Sequence, residues 1–202
     1  MSDSPNNPSG FTPAGHLFGA VSFRTKRYPV SADNAKALGL AKGDAVALRG
    51  GYAVKLDAMG TSGTPKPVLG VVAQPLNSSA RPFTFAQPQG GPFLPGSTAG
   101  FVDVYIDPFI VYSVQCDASV PAVNIGQLID VTAGGINTAA GTSKMAVKFA
   151  TITATSTFPF KIIGYAPTDP NAVMETGVGE ASNQDVHVII NQHAFGGNKF
   201  SE

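Results

Sequence analysis

Hydrophobic and polar positions alternate through much of the chain, most densely over residues 100–117. In the first half of that run Val102, Val104 and Ile106 share one face, opposite Phe101, Asp103, Tyr105 and Asp107. That period of two marks a half-buried strand. In the second half Ile110, Tyr112, Val114 and Cys116 oppose Phe109, Val111, Ser113 and Gln115. Pro108 lacks the N–H that a ladder needs, so the pattern predicts two strands meeting at a bend. The Asp107 carboxylate is placed to accept backbone N–H groups there.

The same reading applies on either side. Ala45-Val46-Ala47-Leu48, the Gly50-Gly51 turn and the Tyr52–Leu56 run predict a hairpin. Residues 67–74 form a third strand with Gly70 at a bulge or close approach. Further strands are predicted over 127–132, 145–153, 158–165 and 185–191. Ser31 as N-cap, the alanines and Gly39 as a stop predict one short helix over 31–39. Roughly nine strands at short spacing indicate an all-β fold, an antiparallel β-sandwich or barrel with one short helix and an extended N-terminal arm.

Three parts are expected: residues 1–27 as an N-terminal arm and basic segment, 28–195 as a single β domain with a Pro-rich loop at 75–95, and 196–202 as a C-terminal tail. The arm and the loop carry Phe11, Leu17, Phe18, Phe83, Phe85 and Phe93 on backbone rich in Pro and Gly. Such side chains serve either the domain's own core or a partner's groove, and they are the candidate interface residues. Removing residues 1–15 is then expected to leave a folded domain.

Composition narrows the function. Charged residues are 13% of the chain, about half the usual ~25%, and thirteen basic residues balance thirteen acidic ones. A neutral, charge-poor surface exerts no long-range pull on nucleic acid or an anionic membrane, and suits a protein covered by other protein. The one basic cluster, Arg24-Thr25-Lys26-Arg27-Tyr28, reads as a solvated face or ion-pair partner. No apolar run approaches the ~20 residues of a membrane span. The first residues show no basic, then apolar, secretion pattern, so synthesis in the cytoplasm is the expectation.

Candidate chemistry is thin. His187 and His193 are six apart and lack an evident acidic third ligand, so no metal site is expected. Asp103 and Asp107 on one strand face are roughly 13 Å apart, too far for a paired acid and base. Cys116 falls on the apolar face and reads as a small buried hydrophobe. Gly177-Val-Gly-Glu180 has no strand–helix setting, and no phosphate loop or nucleophile elbow is present. No catalytic residue and no cofactor are expected, and the chain reads as a non-enzyme.

Several segments, taken in order, resemble the head-decoration or capsid cement proteins of tailed bacteriophages. They are Gly43-Asp44-Ala45-Val46, Leu69-Gly70-Val71-Val72, Tyr105-Ile-Asp-Pro108 leading to Ser113-Val-Gln115, Gly126-Gln127, Gly141-Thr142-Ser143, Ile162-Ile163-Gly164 and Val188-Ile-Ile-Asn-Gln-His193. The resemblance spans roughly residues 40–195. It implies a virion protein made in the host bacterial cytoplasm that binds the major capsid protein, bridges capsomers on the capsid surface and self-associates as a homotrimer. Alternatives are a phage tail or baseplate adaptor, a carbohydrate-binding β-sandwich, and a trimeric β-fold hydrolase. The absence of Trp and the five Tyr disfavour the carbohydrate reading.

Overall fold

The alternation becomes antiparallel sheets in the computed structural model, which describes residues 8–19, 22–32, 39–56, 67–83, 93–132, 134–154, 158–166 and 184–195. The strands are β1 (Thr12–His16), β2 (Thr25–Val30), β3 (Leu40–Ala41), β4 (Ala45–Arg49), β5 (Tyr52–Lys55), β6 (Val68–Leu76), β7 (Phe93–Leu94), β8 (Gly100–Tyr105), β9 (Ile110–Gln115), β10 (Leu128–Thr132), β11 (Ile136–Asn137), β12 (Thr142–Ser143), β13 (Ala146–Thr153), β14 (Phe160–Tyr165) and β15 (Asp185–Ile190). A six-stranded sheet has the order β1-β9-β15-β14-β10-β13, and a five-stranded sheet the order β2-β8-β6-β4-β5. Two short ribbons, β3-β7 and β11-β12, complete a sandwich-like arrangement, with no closed barrel among the described residues. Val147 of the outer strand β13 nevertheless bridges to Cys116, just past β9, so the larger sheet curls back on itself.

Two apolar clusters hold the layers. The first lies between the sheets: Ile110, Tyr112, Val114, Ile129, Val131, Phe160, Ile162, Val186 and Val188 meet Ala45, Ala47, Val68 and Val71. The second lies on the other face of the five-stranded sheet, where Val46, Leu69, Val72, Val102 and Val104 are covered by Leu40 and Leu94 of the β3-β7 ribbon. Strands β4 and β6 are therefore buried on both faces over much of their length, which explains the near-continuous apolar run in β6.

Gly70 makes β6 possible. Val46 pairs with Gly70 and Ala47 with Val68, so Leu69 is the extra residue of a bulge, as the sequence suggested. With φ at +155° and an ideal Cβ only 1.9 Å from the Tyr105 carbonyl oxygen, the position excludes any side chain. The bulge also sends Val68 and Val71, three apart, to the same cluster.

Three expectations change. The N-terminal segment is extended, but Thr12–His16 is strand β1, paired with β9 at the edge of the larger sheet. Phe11 is 2% exposed in the main core, stacked on Phe160 at 4.6 Å and edge-on to Tyr112. Buried there, it is not exposed as an anchor for a neighbour, and removing residues 1–15 would take a core side chain and most of β1. Pro13 and Gly15 hid this strand, and an edge position tolerates both. Likewise the basic segment is the edge strand β2, and Pro75 belongs to β6 rather than to a loop, paired with Val102 beyond the reach of β4. The helix expected over 31–39 lies, apart from its ends, outside the described residues. Among the described residues no helix is long and apolar enough to cross a membrane.

Candidate interaction surface

The bend at Asp107-Pro108 carries the chain from one sheet to the other, because β8 lies in the five-stranded sheet and β9 in the six-stranded one. The β1-to-β2 connection makes the same crossing in the opposite sense, since β1 pairs with β9 and β2 with β8. The two connections are stitched together by Leu17 N–H to Phe109 O at 3.1 Å and Ile106 N–H to Arg24 O at 3.2 Å. They form a two-stranded corner joining the sheets.

Side chains fix this corner. Phe109 N–H donates to Asp107 Oδ1 at 2.9 Å, the role expected of that carboxylate. Asp107 Oδ2 lies 3.1 Å from His16 Nε2, and Phe18 N–H donates to His16 Nδ1 at 3.1 Å. An accepting Nδ1 requires the proton on Nε2, so His16 donates to Asp107. Both ring nitrogens are then committed within the corner. Ser22 lines the same cleft but finds no imidazole nitrogen free to act as its base, so the trio is not a nucleophilic triad.

Above this frame sits an apolar patch. Phe18 is 74% exposed and packs edge-on to Phe109 with ring centroids 5.0 Å apart, and Leu17 beside it is 41% exposed. Next to the patch opens a cleft of about 480 Å³, lined by His16, Ser22, Arg24, Ile106, Asp107 and Phe109.

The other candidate residues lie elsewhere. Phe83 is half-buried against the second cluster, and Phe93 is half-buried in β7, where it pairs with Ala41. Phe85 lies outside the described residues. In the basic segment Arg27 makes a bidentate pair with Asp103, 2.9 and 3.0 Å, and its pKa is raised by that carboxylate. Lys26 sits 5.5 Å from the Tyr28 ring centroid. Cys116 is buried, which pushes its thiol up to about 11 and keeps it from acting as a nucleophile near neutral pH. Burial also lowers the pKa of His187 and His193. Among the described residues no three His, Cys, Asp or Glu side chains converge on a metal position.

A second polar cluster was not legible as one. Asp44 is fully buried, with Lys55 Nζ 2.9 Å from Oδ1, the Ser143 hydroxyl donating to Oδ1 at 2.5 Å and Ala41 N–H donating to Oδ2 at 2.8 Å. Desolvation raises the Asp44 pKa, against the opposing pull of Lys55 and Ser143. The neighbouring Gly43 has φ +88° and accepts Phe11 N–H through its carbonyl at 2.9 Å. Gly43-Asp44 and Gly141-Thr142-Ser143, two segments of the phage resemblance, thus meet in space to tie the N-terminal segment, β4 and the β11-β12 ribbon together. Asn191 of the closing segment has a comparable role, since its Nδ2 donates to Phe158 O at 3.1 Å.

Also exposed are Val123 (77%), Ile125 (38%) and Phe195 (61%), apolar positions with no signal in the alternation. Comparison with known protein families, with characterised proteins and with solved structures finds no match to this chain.

Proposed function

We propose that the protein is a structural virion component that binds the outer surface of a bacteriophage capsid and stabilises it by bridging neighbouring capsomers, working as a homotrimer. The observation that carries this reading is the exposed Phe18, backed by Phe109 and Leu17 on a corner held by His16 and Asp107. A rigidly held aromatic at a domain corner loses little conformational freedom on docking, and such residues dominate protein interfaces. The charge-poor composition agrees with a surface occupied by other protein. Among the described residues the polar constellations serve the fold, which favours binding over catalysis. Of the six candidate interface residues, Leu17 and Phe18 are the exposed ones among the described residues.

The test mixes the purified chain with phage capsids that lack it, and follows co-sedimentation and a density map. The native chain should bind in register with the capsid lattice, and Phe18→Ala should weaken binding by ~1–3 kcal/mol. Failure of the native chain to bind sinks the reading. Light scattering at micromolar concentration checks the trimer, which a strictly monomeric mass would remove.

A further inference from the structure

We propose that Lys55 and Asp44 condense into an intramolecular amide that cross-links the β4-β5 hairpin to the residue preceding it. Lys55 Nζ lies 2.9 Å from Asp44 Oδ1, and the two side chains are 8% and 0% exposed. An ammonium has three N–H donors. Although the ionic contact is short, Nζ has no well-directed hydrogen-bond acceptor among the described residues. A buried ion pair with donors left over is costly, and moving one proton from Nζ to the carboxylate removes both charges at once. Desolvation of Asp44 favours its neutral form in the same sense. The species that condense are an amine and a carboxylic acid.

The surroundings fit the bond-forming step. Ala41 N–H already faces Oδ2, the oxygen on which negative charge develops as the Nζ lone pair adds to Cγ. The Ser143 hydroxyl contacts Oδ1, the oxygen that leaves, and a hydroxyl can both accept and donate a proton. The Nζ–Cγ bond forms, Oδ1 keeps the acid proton and takes a second one from Nζ, and the Cγ–Oδ1 bond breaks with loss of one water. The remaining Oδ2 becomes the amide oxygen, still bonded to Ala41 N–H. Atoms and electrons balance without any oxidant, reductant or co-reactant.

Backbone pairing supplies the alignment. Val46 pairs with Lys55, and Leu56 N–H donates to Ala45 O at 2.9 Å, so Lys55 on β5 is held beside the start of β4, which Asp44 directly precedes. Holding two reactants in one orientation is itself a large source of acceleration. The product closes a covalent ring around the Gly50-Gly51 turn, so this edge hairpin cannot peel open.

The experiment is intact-mass measurement of the folded full chain followed by tryptic mapping, with Lys55→Met as control. The native chain should be lighter than its sequence by one water. Trypsin should fail to cut after Lys55, and a branched peptide should join the segment after Lys42, which holds Asp44, to the segment holding Lys55. Lys55→Met keeps the apolar stem and should show its full sequence mass. A native chain at full mass that is cut after Lys55 overturns the proposal. So does a Lys55→Met chain that shows the same loss of water.

Discussion

Phe11→Ala should be among the most damaging single changes in the protein. The side chain is 2% exposed, stacked on Phe160 and edge-on to Tyr112, so truncation removes a buried ring and two aromatic pairs. Burying such a side chain is worth about 1.5–3 kcal/mol, and each pair adds about 0.5–1.5 kcal/mol. Phe→Ala changes in cores cost about 3–5 kcal/mol once the residual cavity is counted. Against a total of ~5–15 kcal/mol, the variant folds but with little reserve. In urea, where m for a small protein is about 1–3 kcal/mol per molar, the midpoint should fall by at least roughly 1 M. Phe18→Ala is the matched control, since Phe18 is 74% exposed and should shift stability by no more than about 0.5–1 kcal/mol. Equal effects of the two substitutions would refute the placement of Phe11 in the core and restore the view of a dispensable arm.

Gly70→Ala should give little or no folded protein, because its Cβ would overlap the Tyr105 carbonyl at a positive φ; recovery of soluble chain with a native circular-dichroism spectrum would contradict the bulge. Burial holds the His193 and His187 pKa values below the ordinary ~6.5, so below that pH the unfolded chain binds more protons than the folded one. Their effect is therefore a loss of stability as pH falls through ~6.5 toward the folded-state values, with none above it; His193→Gln should flatten that slope in urea titrations across pH 5–8. Asp107→Asn leaves an acceptor for Phe109 N–H but can turn an amide donor toward the His16 Nε2–H, and should cost about 1–3 kcal/mol in urea unfolding.

What the sequence revealed depended on whether the physics was local. The bend at Asp107-Pro108, the Gly50-Gly51 hairpin and the Gly70 bulge were legible because alternation, proline and glycine act on their own neighbourhood. Strands β1 and β2 were missed because Pro13, Gly15 and Pro29 break the pattern, and an edge strand is held by its backbone rather than by a buried face. The exposed set of Leu17 and Phe18 was anticipated, but Phe109 looked like one half of a strand alternation until β1 came to lie beside it. Asp44 and Ser143 are 99 positions apart, and no spacing rule joins residues whose meeting depends on how whole ribbons stack. Phe83 and Phe93 could be core or interface on sequence grounds, and both are half-buried, Phe83 against the second cluster.

The corner where β1-β9 turns into β2-β8 gives the molecule a preferred direction of strength. A pull on Phe18 parallel to these strands loads the ladders of both sheets together, and many hydrogen bonds must fail at once. A pull across the strands meets them one at a time, as a zipper does. On the proposed capsid role, a fastener gripped at this corner would resist far better when its strands lie along the seam being stretched than when they stand across it.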